Sequence, residues 1–568
     1  MDTHHSTKSA DALCARHPCR LPLLALAIGS TFLPLLPTVG EAQFPTADPP
    51  YQAGFPVTLN GTQVEGSSIA LGDVNGDGLP DIVVGARDGK VHAYTGAGVK
   101  LWEFDTGDMG VSSKAAIADL DLDGTTEVVI GAGKAEDRSS SHGDLFVISH
   151  TGQLECTFQL QDTNSDSFRD GVFSSPAVAD IDGNDGGQLE IIFGAWDKRV
   201  RVIHHDCSVF WERFQLPPTG QADYFFDSVW SSPAIGDIDG NGQLDVVIGC
   251  DSPDASPNVI EPGEDPGVGG ALHVLDGQTG LALPGFPIAV DEVIYSSPAL
   301  ADLVGGDELE ITVGTGRCWE NPVCAVPPAG VQEVDEAIFA WDQAANPLAG
   351  WPVDLSTTGN LGDGTYAFAS PALADIDSDG QLEVIINTQE FQDNNGGQVH
   401  AINVDGSPAP GAWPVRPVTP AGPGTTVSFS TSLSPIVADI TGDSDLEIIL
   451  PSNWELVVFD EQGNQLSRDL FPVPTLPDPI EMVTNGPIGG AAAVGDLDGD
   501  GDLEVVVGSY ATLNPPVGAI YVWDFPDPKS AADAPWPMFR RSTDNHARVD
   551  PATIFTDGFE TGDTTAWQ

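Results

Sequence analysis

The sequence has few cationic side chains: 21 Lys and Arg stand against 84 Asp and Glu, and the formal net charge is -63. Proteins that bind nucleic acid neutralise phosphates with Lys and Arg, and anionic membrane surfaces attract the same side chains. The shortage of cations therefore argues against nucleic acid and against anionic membranes as partners.

Long hydrophobic runs are also scarce. The one such run, residues 21–37, follows three cationic residues and precedes the small residues Gly40 and Ala42. This order predicts a secretory signal peptide over residues 1–42, cleaved after Ala42. An uncleaved membrane anchor is the alternative, although three prolines within the run disfavour a spanning helix. We expect a secreted, cell-surface or periplasmic protein without a membrane span after cleavage.

Cysteines are few, and two of the seven lie in the predicted signal peptide. Cys318 and Cys324 bracket a short Pro-containing loop, so a disulfide between them is the favoured prediction for a protein outside the cytosol. Cys156 with Cys207 is the second candidate pair. No matching Cys or His pair accompanies them, which disfavours a zinc site.

Long helical periodicity is missing too, whereas Gly and Pro are abundant, at 64 and 46 residues. Between short apolar, strand-like runs lies an acidic stretch whose clearest copy is DIDSDGQLE. Asp375, Asp377 and Asp379 alternate in it, and such carboxylates converge favourably only around a hard cation such as calcium. Gly380 permits the turn and Glu383 closes it. Because strands flank the loop, it is not an EF-hand.

The acidic stretch recurs eight times, at intervals between 46 residues (Asp73 to Asp119) and 73 residues (Asp302 to Asp375). A repeat of about 60 residues indicates an array of supersecondary modules. We predict an all-β fold over residues 43–550, a β-propeller of four-stranded antiparallel blades with eight blades favoured and seven as the alternative. The polar tail 551–568 is either a disordered end or related to export or surface sorting.

Three further features belong to the blades. The first strand often opens with Ser-Ser-Pro-Ala, as at residues 174–177. The sequence GFPVTL at 54–59 resembles a fourth strand without a blade and could close the ring, a place for which PWPMF at 535–539 competes. Insertions at 251–269 and 316–336 are expected to be surface loops, where binding function often resides.

The loop pattern Asp-x-Asp-x-Asp-Gly-x-x-Asp/Glu between strands resembles the FG-GAP and VCBS repeat family, which includes the propeller of integrin α subunits. The resemblance covers roughly residues 51–550. It implies a β-propeller with structural calcium in the loops and, commonly, a secreted or cell-surface role in binding or adhesion. Integrin-like propellers usually have seven blades, hence the alternative count.

Carried onto this sequence, the resemblance implies calcium ligands in seven loops. The predicted ligands are Asp73, Asn75, Asp77, Asp81, Asp119, Asp121, Asp123, Glu127, Asp180, Asp182, Asn184, Glu190, Asp237, Asp239, Asn241, Asp245, Asp375, Asp377, Asp379, Glu383, Asp439, Thr441, Asp443, Glu447, Asp496, Asp498, Asp500 and Glu504. Asp185 is an alternative to Asn184. Thr441 and Ser444 predict weaker binding in their loop. The copy at Asp302, with Val304 and Gly306 at ligand positions, is expected to be empty.

No catalytic residue is predicted. His92, His273 and His400 share one position on the third strand, which indicates packing, and His204 and His205 are expected to be exposed. No nucleophile elbow, metalloprotease helix or phosphate-binding glycine loop occurs.

Two functions stay open. The favoured one is a non-enzymatic binding module for an extracellular protein or glycan. The alternative is an enzyme on a propeller scaffold, either a polysaccharide lyase or hydrolase or a quinone-dependent dehydrogenase. Arg, His and Tyr side chains clustered at the central channel, outside the repeat pattern, would favour an enzyme.

Overall fold

The computed structural model describes residues 49–64, 66–107, 109–133, 142–162, 169–184, 186–213, 229–251, 270–290, 292–306, 308–316, 337–355, 365–390, 397–419, 422–423, 433–452, 454–467, 480–510, 517–525 and 534–549. All of them belong to one compact unit, Phe44–Gln568. These residues form strands and turns and contain no helix, which confirms the all-β prediction. Within the same ranges, no helix long and apolar enough to cross a membrane occurs.

The strands form eight antiparallel blades, numbered here from the first complete repeat, and the prediction of eight rather than seven is confirmed. Blades 1 and 2 comprise β2 (Ala70–Gly72), β3 (Asp81–Gly85), β4 (Lys90–Tyr94) and β5 (Lys100–Asp105), then β6 (Ala116–Ala118), β7 (Glu127–Ala132), β8 (Asp144–Ser149) and β9 (Leu154–Gln159). Blades 3 and 4 comprise β10 (Ala177–Ala179), β11 (Glu190–Ala195), β12 (Arg199–Ile203) and β13 (Val209–Arg213), then β14 (Ala234–Gly236), β15 (Asp245–Asp251), β16 (Gly270–Asp276) and β17 (Ile288–Val290).

The second half of the ring is less regular. Blade 5 comprises β18 (Ala299–Ala301), β19 (Glu310–Gly314), β20 (Ala337–Trp341) and β21 (Val353–Asp354). Blades 6 and 7 have three hydrogen-bonded strands each, β23 (Ala372–Ala374), β24 (Glu383–Asn387) and β26 (Val399–Ile402), and β29 (Ile436–Ala438), β30 (Glu447–Ser452) and β31 (Glu455–Phe459). Single bridges, such as Val399 with Val415 and Phe459 with Gln465, hold their outer position. The short pairs β22 (Thr365–Tyr366) with β25 (Gln389–Glu390) and β27 (Val418–Thr419) with β28 (Gly422–Pro423) lie beside them.

Blade 8 is built from both ends of the propeller. Its inner strands are β32 (Ala493–Gly495), β33 (Leu503–Ser509) and β34 (Val517–Phe525), and its outermost strand is β1 (Val57–Asn60). Val57 pairs with Ile520 and Asn60 with Val517, antiparallel. GFPVTL therefore closes the ring, and PWPMF does not.

The innermost strands form the crowded centre of the ring, and consecutive ones contact each other. They carry Ala, Val, Ile, Leu and Gly, and nearly all of these residues are buried. The many small side chains suit this close approach. A glycine near the end of the second strand meets the segment that leads into the next blade. A Cβ atom added at Gly249 would lie 2.2 Å from Cγ2 of Ile294 in that segment, so only glycine fits there.

The Ser-Ser-Pro-Ala motif links neighbouring blades. The side-chain oxygen of the serine at the second position of the motif accepts a hydrogen bond of 2.8–3.2 Å. The donor is the backbone N–H of the residue at the same position in the preceding blade. Six interfaces carry this bond, from Lys114 to Ser175, Ser175 to Ser232, Ser232 to Ser297, Ser297 to Ser370, Ser370 to Ser434, and Ala491 to Ser68. The motif thus satisfies buried backbone donors and fastens the ring at its centre.

At the outer rim, tryptophans of the fourth strands connect blades in a second way. The indole N–H of Trp102 donates to His150 O at 3.0 Å, and that of Trp351 donates to Val404 O at 2.7 Å. Trp211 and Trp413 make the same bond to the blade that follows each of them. The aromatic positions of the fourth strands therefore pack and donate at once.

One more stretch, residues 535–549, lies against the innermost strands, and we call it the axial segment. It makes backbone hydrogen bonds to six blades: blade 7 (Val437 N to Trp536 O), blade 8 (Val494 N to Pro537 O), blade 2 (Ile117 N to Thr543 O), blade 3 (Val178 N to Asp544 O), blade 4 (Ile235 N to His546 O) and blade 5 (Leu300 N to Ala547 O). PWPMF thus lines the axis of the ring. The unpaired edges of the inner strands find their partners in this segment.

Candidate metal centres

The acidic loops lie between the first and second strands of the blades, all on one face of the ring. Each opening aspartate holds its loop through backbone N–H groups; Asp375 Oδ2, for example, accepts from Gly380 N at 2.9 Å. The backbone φ is 89° at Gly380 and 91° at Gly124, and residues other than glycine rarely adopt such angles. The turn role of the loop glycine is confirmed.

The closing carboxyl of every loop is buried, with at most 2 % of the residue exposed. One of its oxygens accepts the backbone N–H of the second loop residue at 2.6–3.1 Å, as Glu383 Oε2 does from Ile376 N. This bond occurs in all eight blades. The closing residues are Asp81, Glu127, Glu190, Asp245, Glu310, Glu383, Glu447 and Glu504.

Burial raises the pKa of these closing carboxyls in the metal-free protein. The pKa of Glu383 and that of Glu504 rise to about 8, and that of Asp245 to about 7, in each case mainly because burial penalises the charged form. Neighbouring loop carboxylates raise it further. A bound divalent cation would remove both penalties, because it stabilises the ionised form.

In four loops, carboxylate oxygens converge to within 4.8 Å of one another. The sets are Asp119, Asp121 and Glu127; Asp237, Asp239 and Asp245; Asp375, Asp377 and Glu383; and Asp498, Asp500, Asp502 and Glu504. Oδ1 of Asp245 and Oε1 of Glu504 are buried and have no hydrogen-bond partner within the described part of the chain. All-oxygen sets with such orphaned acceptors fit a hard cation such as calcium.

Side-chain oxygens of other predicted ligands accept hydrogen bonds from backbone N–H groups of their own loops. Asp123 Oδ1 accepts from Thr125 N at 2.9 Å, and Asp379 Oδ1 accepts from Gln381 N at 2.8 Å. Asp496 Oδ1 accepts from Gly499 N at 2.7 Å. Asp502, which was not among the predicted ligands, joins the last cluster, because the loop places it directly before the buried strand residues Leu503 and Glu504.

In three loops outside these four sets, polar or backbone groups donate to the closing carboxyl. Asn75 Nδ2 donates to Asp81 Oδ1 at 3.0 Å, and Thr441 Oγ1 donates to Glu447 Oε1 at 3.3 Å. In the copy at Asp302, the backbone N–H of Leu303 and that of Val304 both donate to Glu310 Oε2. The carboxyl of Glu310 is thus held by backbone N–H donors. Its loop has Val304 and Gly306 at the positions where other loops carry oxygen ligands for a metal.

The third loop contains a residue that sequence reasoning did not assign. His204 Nδ1 lies 3.0 Å from Oε1 of the buried Glu190, and Asp182 completes a cluster with them. His204 is partly buried, so the prediction that it is exposed was wrong. The signal for this contact lies in the blade register, since Ile191 pairs with Ile203 and the next residues, Glu190 and His204, face each other. Asn184 Oδ1 accepts from Gly186 N, and Asp185 lies outside the described residues.

The three third-strand histidines are buried, as their shared position predicts. His92 is 4 % exposed, His273 is fully buried, and His400 is 8 % exposed. Burial is the main cause that lowers the pKa of His92 and that of His400 to about 4. Neutral, enclosed imidazoles of this kind contribute to packing.

Cationic and polar side chains outside the repeat pattern do meet at the axis. Arg540 is 2 % exposed and donates through Nη1 to Pro298 O at 2.7 Å and through Nη2 to Pro233 O. Asn545, fully buried, donates to Pro176 O at 2.6 Å and accepts from Lys114 Nζ at 2.6 Å. Burial lowers the pKa of Lys114 to about 7. These groups bind backbone carbonyls and one another, so they anchor the axial segment.

A disulfide joins Cys156 of blade 2 to Cys207 of blade 3, with their Cα atoms 6.0 Å apart. The second candidate pair is therefore the one observed. Cys318 and Cys324 lie outside the described residues, and so do residues 1–48, 551–568 and most of both insertions.

Comparison with known proteins gives one family. Residues 73–130, which span the acidic loops of blades 1 and 2, match the FG-GAP-like repeat family. A comparison with curated proteins found no match.

Several solved structures resemble the chain in fold. The biofilm matrix protein Bap1 of V. cholerae is 14 % identical with a TM-score of 0.48, covering 85 % of this chain and 89 % of its own. BamB from Moraxella catarrhalis is 13 % identical with a TM-score of 0.45, and the match covers 83 % of this chain and 99 % of the BamB chain. The quinohemoprotein alcohol dehydrogenase from Comamonas testosteroni is 14 % identical with a TM-score of 0.48, covering 83 % and 76 %.

Proposed function

We propose that this eight-bladed β-propeller with FG-GAP-like repeats works outside the cytoplasm as a calcium-stabilised, non-enzymatic binding module for protein or glycan. The observation that carries the calcium part of the proposal is a pair of buried carboxylate oxygens, Asp245 Oδ1 and Glu504 Oε1, which have no hydrogen-bond partner among the described residues. Both residues belong to loops in which several carboxylates converge.

Calcium is the cation that this chemistry favours. The converging groups are carboxylates. Calcium accepts six to eight oxygen ligands, carboxylates among them, in flexible geometry. Magnesium demands a stricter octahedral arrangement and keeps much of its water. Calcium bound in a loop would neutralise its carboxylates and fasten the first two strands of the blade.

The axis of the ring supports binding rather than catalysis. The channel of a propeller is a natural place for a substrate, but here the axial segment lies along the inner strands of six blades. Arg540 and His546, the non-repeat groups that would have favoured an enzyme, bond to backbone carbonyls of Pro298, Pro233 and Val178. Nη1 and Nη2 of Arg540 and Nε2 of His546 are thereby engaged in structure.

Two features support a location outside the cytoplasm. The sequence 1–42 has the order of a secretory signal peptide. The disulfide between Cys156 and Cys207 would persist in an oxidising compartment and is rare in the cytosol.

Thermal unfolding of the protein from residue 43 onward tests the calcium assignment. We expect the melting temperature to fall by more than about 10 °C when excess EDTA replaces millimolar calcium, since a ligand at 100 times its Kd adds about 2.7 kcal/mol per site. Magnesium at the same concentration should restore little of the loss. An unchanged melting curve in EDTA would remove calcium from the proposal.

A further inference from the structure

Six aromatic side chains form a continuous arc on the face opposite the acidic loops. Its members are Phe173, Trp196, Trp230, Tyr295, Tyr366 and Phe368, and we call them the aromatic arc. Trp230 is central: its ring centroid lies 4.6 Å from that of Trp196, 5.0 Å from that of Phe173 and 4.9 Å from that of Tyr295. Tyr295 continues to Phe368 at 5.2 Å. The arc spans blades 3 to 6.

Four of the rings occupy one position of the repeat, directly before the first residue of the Ser-Ser-Pro-Ala motif. Consecutive rings at this position are inclined by 52°, 42° and 40°. These angles are close to the turn of about 45° from one blade to the next in an eight-bladed ring. The rings therefore follow the curvature of the propeller around its axis.

Blade packing does not require these rings. The same position holds Gly66 in blade 1, Ser112 in blade 2 and Gly489 in blade 8, and those blades pack without an aromatic group there. Phe173, Trp230, Tyr295 and Tyr366 keep part of their surface exposed, whereas Trp196 and Phe368 are buried. The two buried rings pack against exposed ones, Trp196 against Trp230 and Phe368 against Tyr295. Exposed aromatic surface that packing does not need marks a place for a ligand.

We propose that the aromatic arc is a binding surface for a neutral polysaccharide, whose sugar rings lie on the exposed surfaces of Phe173, Trp230, Tyr295 and Tyr366. This inference rests on the proposed role as a binding module and assigns its ligand class. The C–H groups on one side of a sugar ring carry partial positive charge, and they suit the negative face of an aromatic quadrupole. The sugar hydroxyls remain free to bond to water and to polar groups around the arc.

Charge and shape favour sugar over the other ligands that stack on aromatic rings. Single-stranded nucleic acid stacks in this way but needs a cationic groove, which a chain of net charge -63 with 21 Lys and Arg does not favour. Proline-rich peptides dock on aromatic grooves as straight, stiff helices. A track that turns by 40–52° at each ring suits a polymer that rotates at every linkage.

Titration of the calcium-loaded protein with cellohexaose, chitohexaose and maltohexaose tests the proposal, followed by tryptophan fluorescence and calorimetry. We expect at least one hexasaccharide to bind, with Kd raised tenfold or more in Trp230→Ala and in Tyr295→Ala. Trp230→Phe keeps a ring and should stay within about threefold of the unmodified protein. Trp454→Ala is the matched control, because Trp454 is 49 % exposed in blade 7 and lies outside the arc.

Melting temperatures of all variants should agree, which separates lost binding from lost folding. Equal sugar affinity in Trp230→Ala would overturn the arc as the site and leave the binding module intact. Capture of a purified extracellular protein that Trp230→Ala abolishes, without any sugar binding, would overturn the ligand class alone. Failure to bind both sugars and proteins would overturn the arc and the proposed function together.

Discussion

The two faces of the propeller differ in how closely they follow the repeat. On the acidic-loop face, all eight blades bury a closing carboxyl and bond it to the same backbone N–H. On the opposite face, one repeat position holds aromatic rings in four consecutive blades and Gly or Ser in the four others.

This difference separates structure from recognition. A feature kept in every blade serves what every blade needs, namely the joining of its first two strands. A feature confined to part of the ring breaks the symmetry, and a ligand can recognise only a surface that differs from its surroundings. The acidic loops therefore belong to stability, and the aromatic arc belongs to binding.

The largest effect should come from removing the axial segment, which holds the centre on which both faces depend. A chain ending at residue 534 loses backbone partners on six blades and the anchors Arg540 and Asn545. We expect it to lose its single cooperative unfolding transition in circular dichroism, because buried backbone and side-chain groups become unpaired. A chain ending at residue 549 is the control and should unfold like the full protein. Equal melting of the two truncated chains would contradict the axial role.

A smaller effect is expected from changing single loops on the acidic-loop face. All eight loops share the same backbone hydrogen bond to the closing carboxyl, and the question is whether all eight also bind a metal ion. Glu383→Gln removes a closing charge from a loop with converging carboxylates, whereas Glu310→Gln removes it from the loop expected to be empty. Calorimetric titration with calcium should show one site fewer for Glu383→Gln and no change in stoichiometry for Glu310→Gln. A site lost in both variants would mean that the Asp302 copy also binds calcium.

The smallest effect concerns pH. In the calcium-free protein the pKa of Glu383 and that of Glu504 are about 8, well above the unfolded value of about 4.3. The folded state thus holds protons that the unfolded chain has released, so stability is fully present below the unfolded value and is lost as pH rises through about 8. We expect the melting temperature in EDTA to fall by several degrees between about pH 5 and 8. Calcium binds the ionised form and should flatten this fall; a rise with pH in EDTA would refute the sign.

The repeating part of the molecule could be predicted well from the sequence, because residues close together in each repeat specify its strands, its acidic loop and its glycine turn. The blade number, the positions of the acidic loops and the packing of His92, His273 and His400 all follow from that pattern. The carboxylate sets that could hold a metal follow from it as well, and their occupation by calcium stays a prediction.

The parts that could not be predicted depend on contacts distant in sequence. Asn545 bonds to Lys114 across a separation of 431 residues, and no local pattern in the axial segment indicates this. His204 faces Glu190 only because of blade register. The aromatic arc becomes visible only when residues from four repeats are brought side by side.

The assembly of blade 8 has a consequence for how the chain folds. Its outermost strand comes from residues 57–60 and its neighbour from residues 517–525, so the ring cannot close until residues 517–525 have been synthesised. Such a distant pairing makes closure slow, since a long loop must first be brought together. Until then the growing chain lacks the pairing of β1 with β34, and the inner strands lack their bonds to the axial segment. The blades made earlier therefore form an open ring during synthesis.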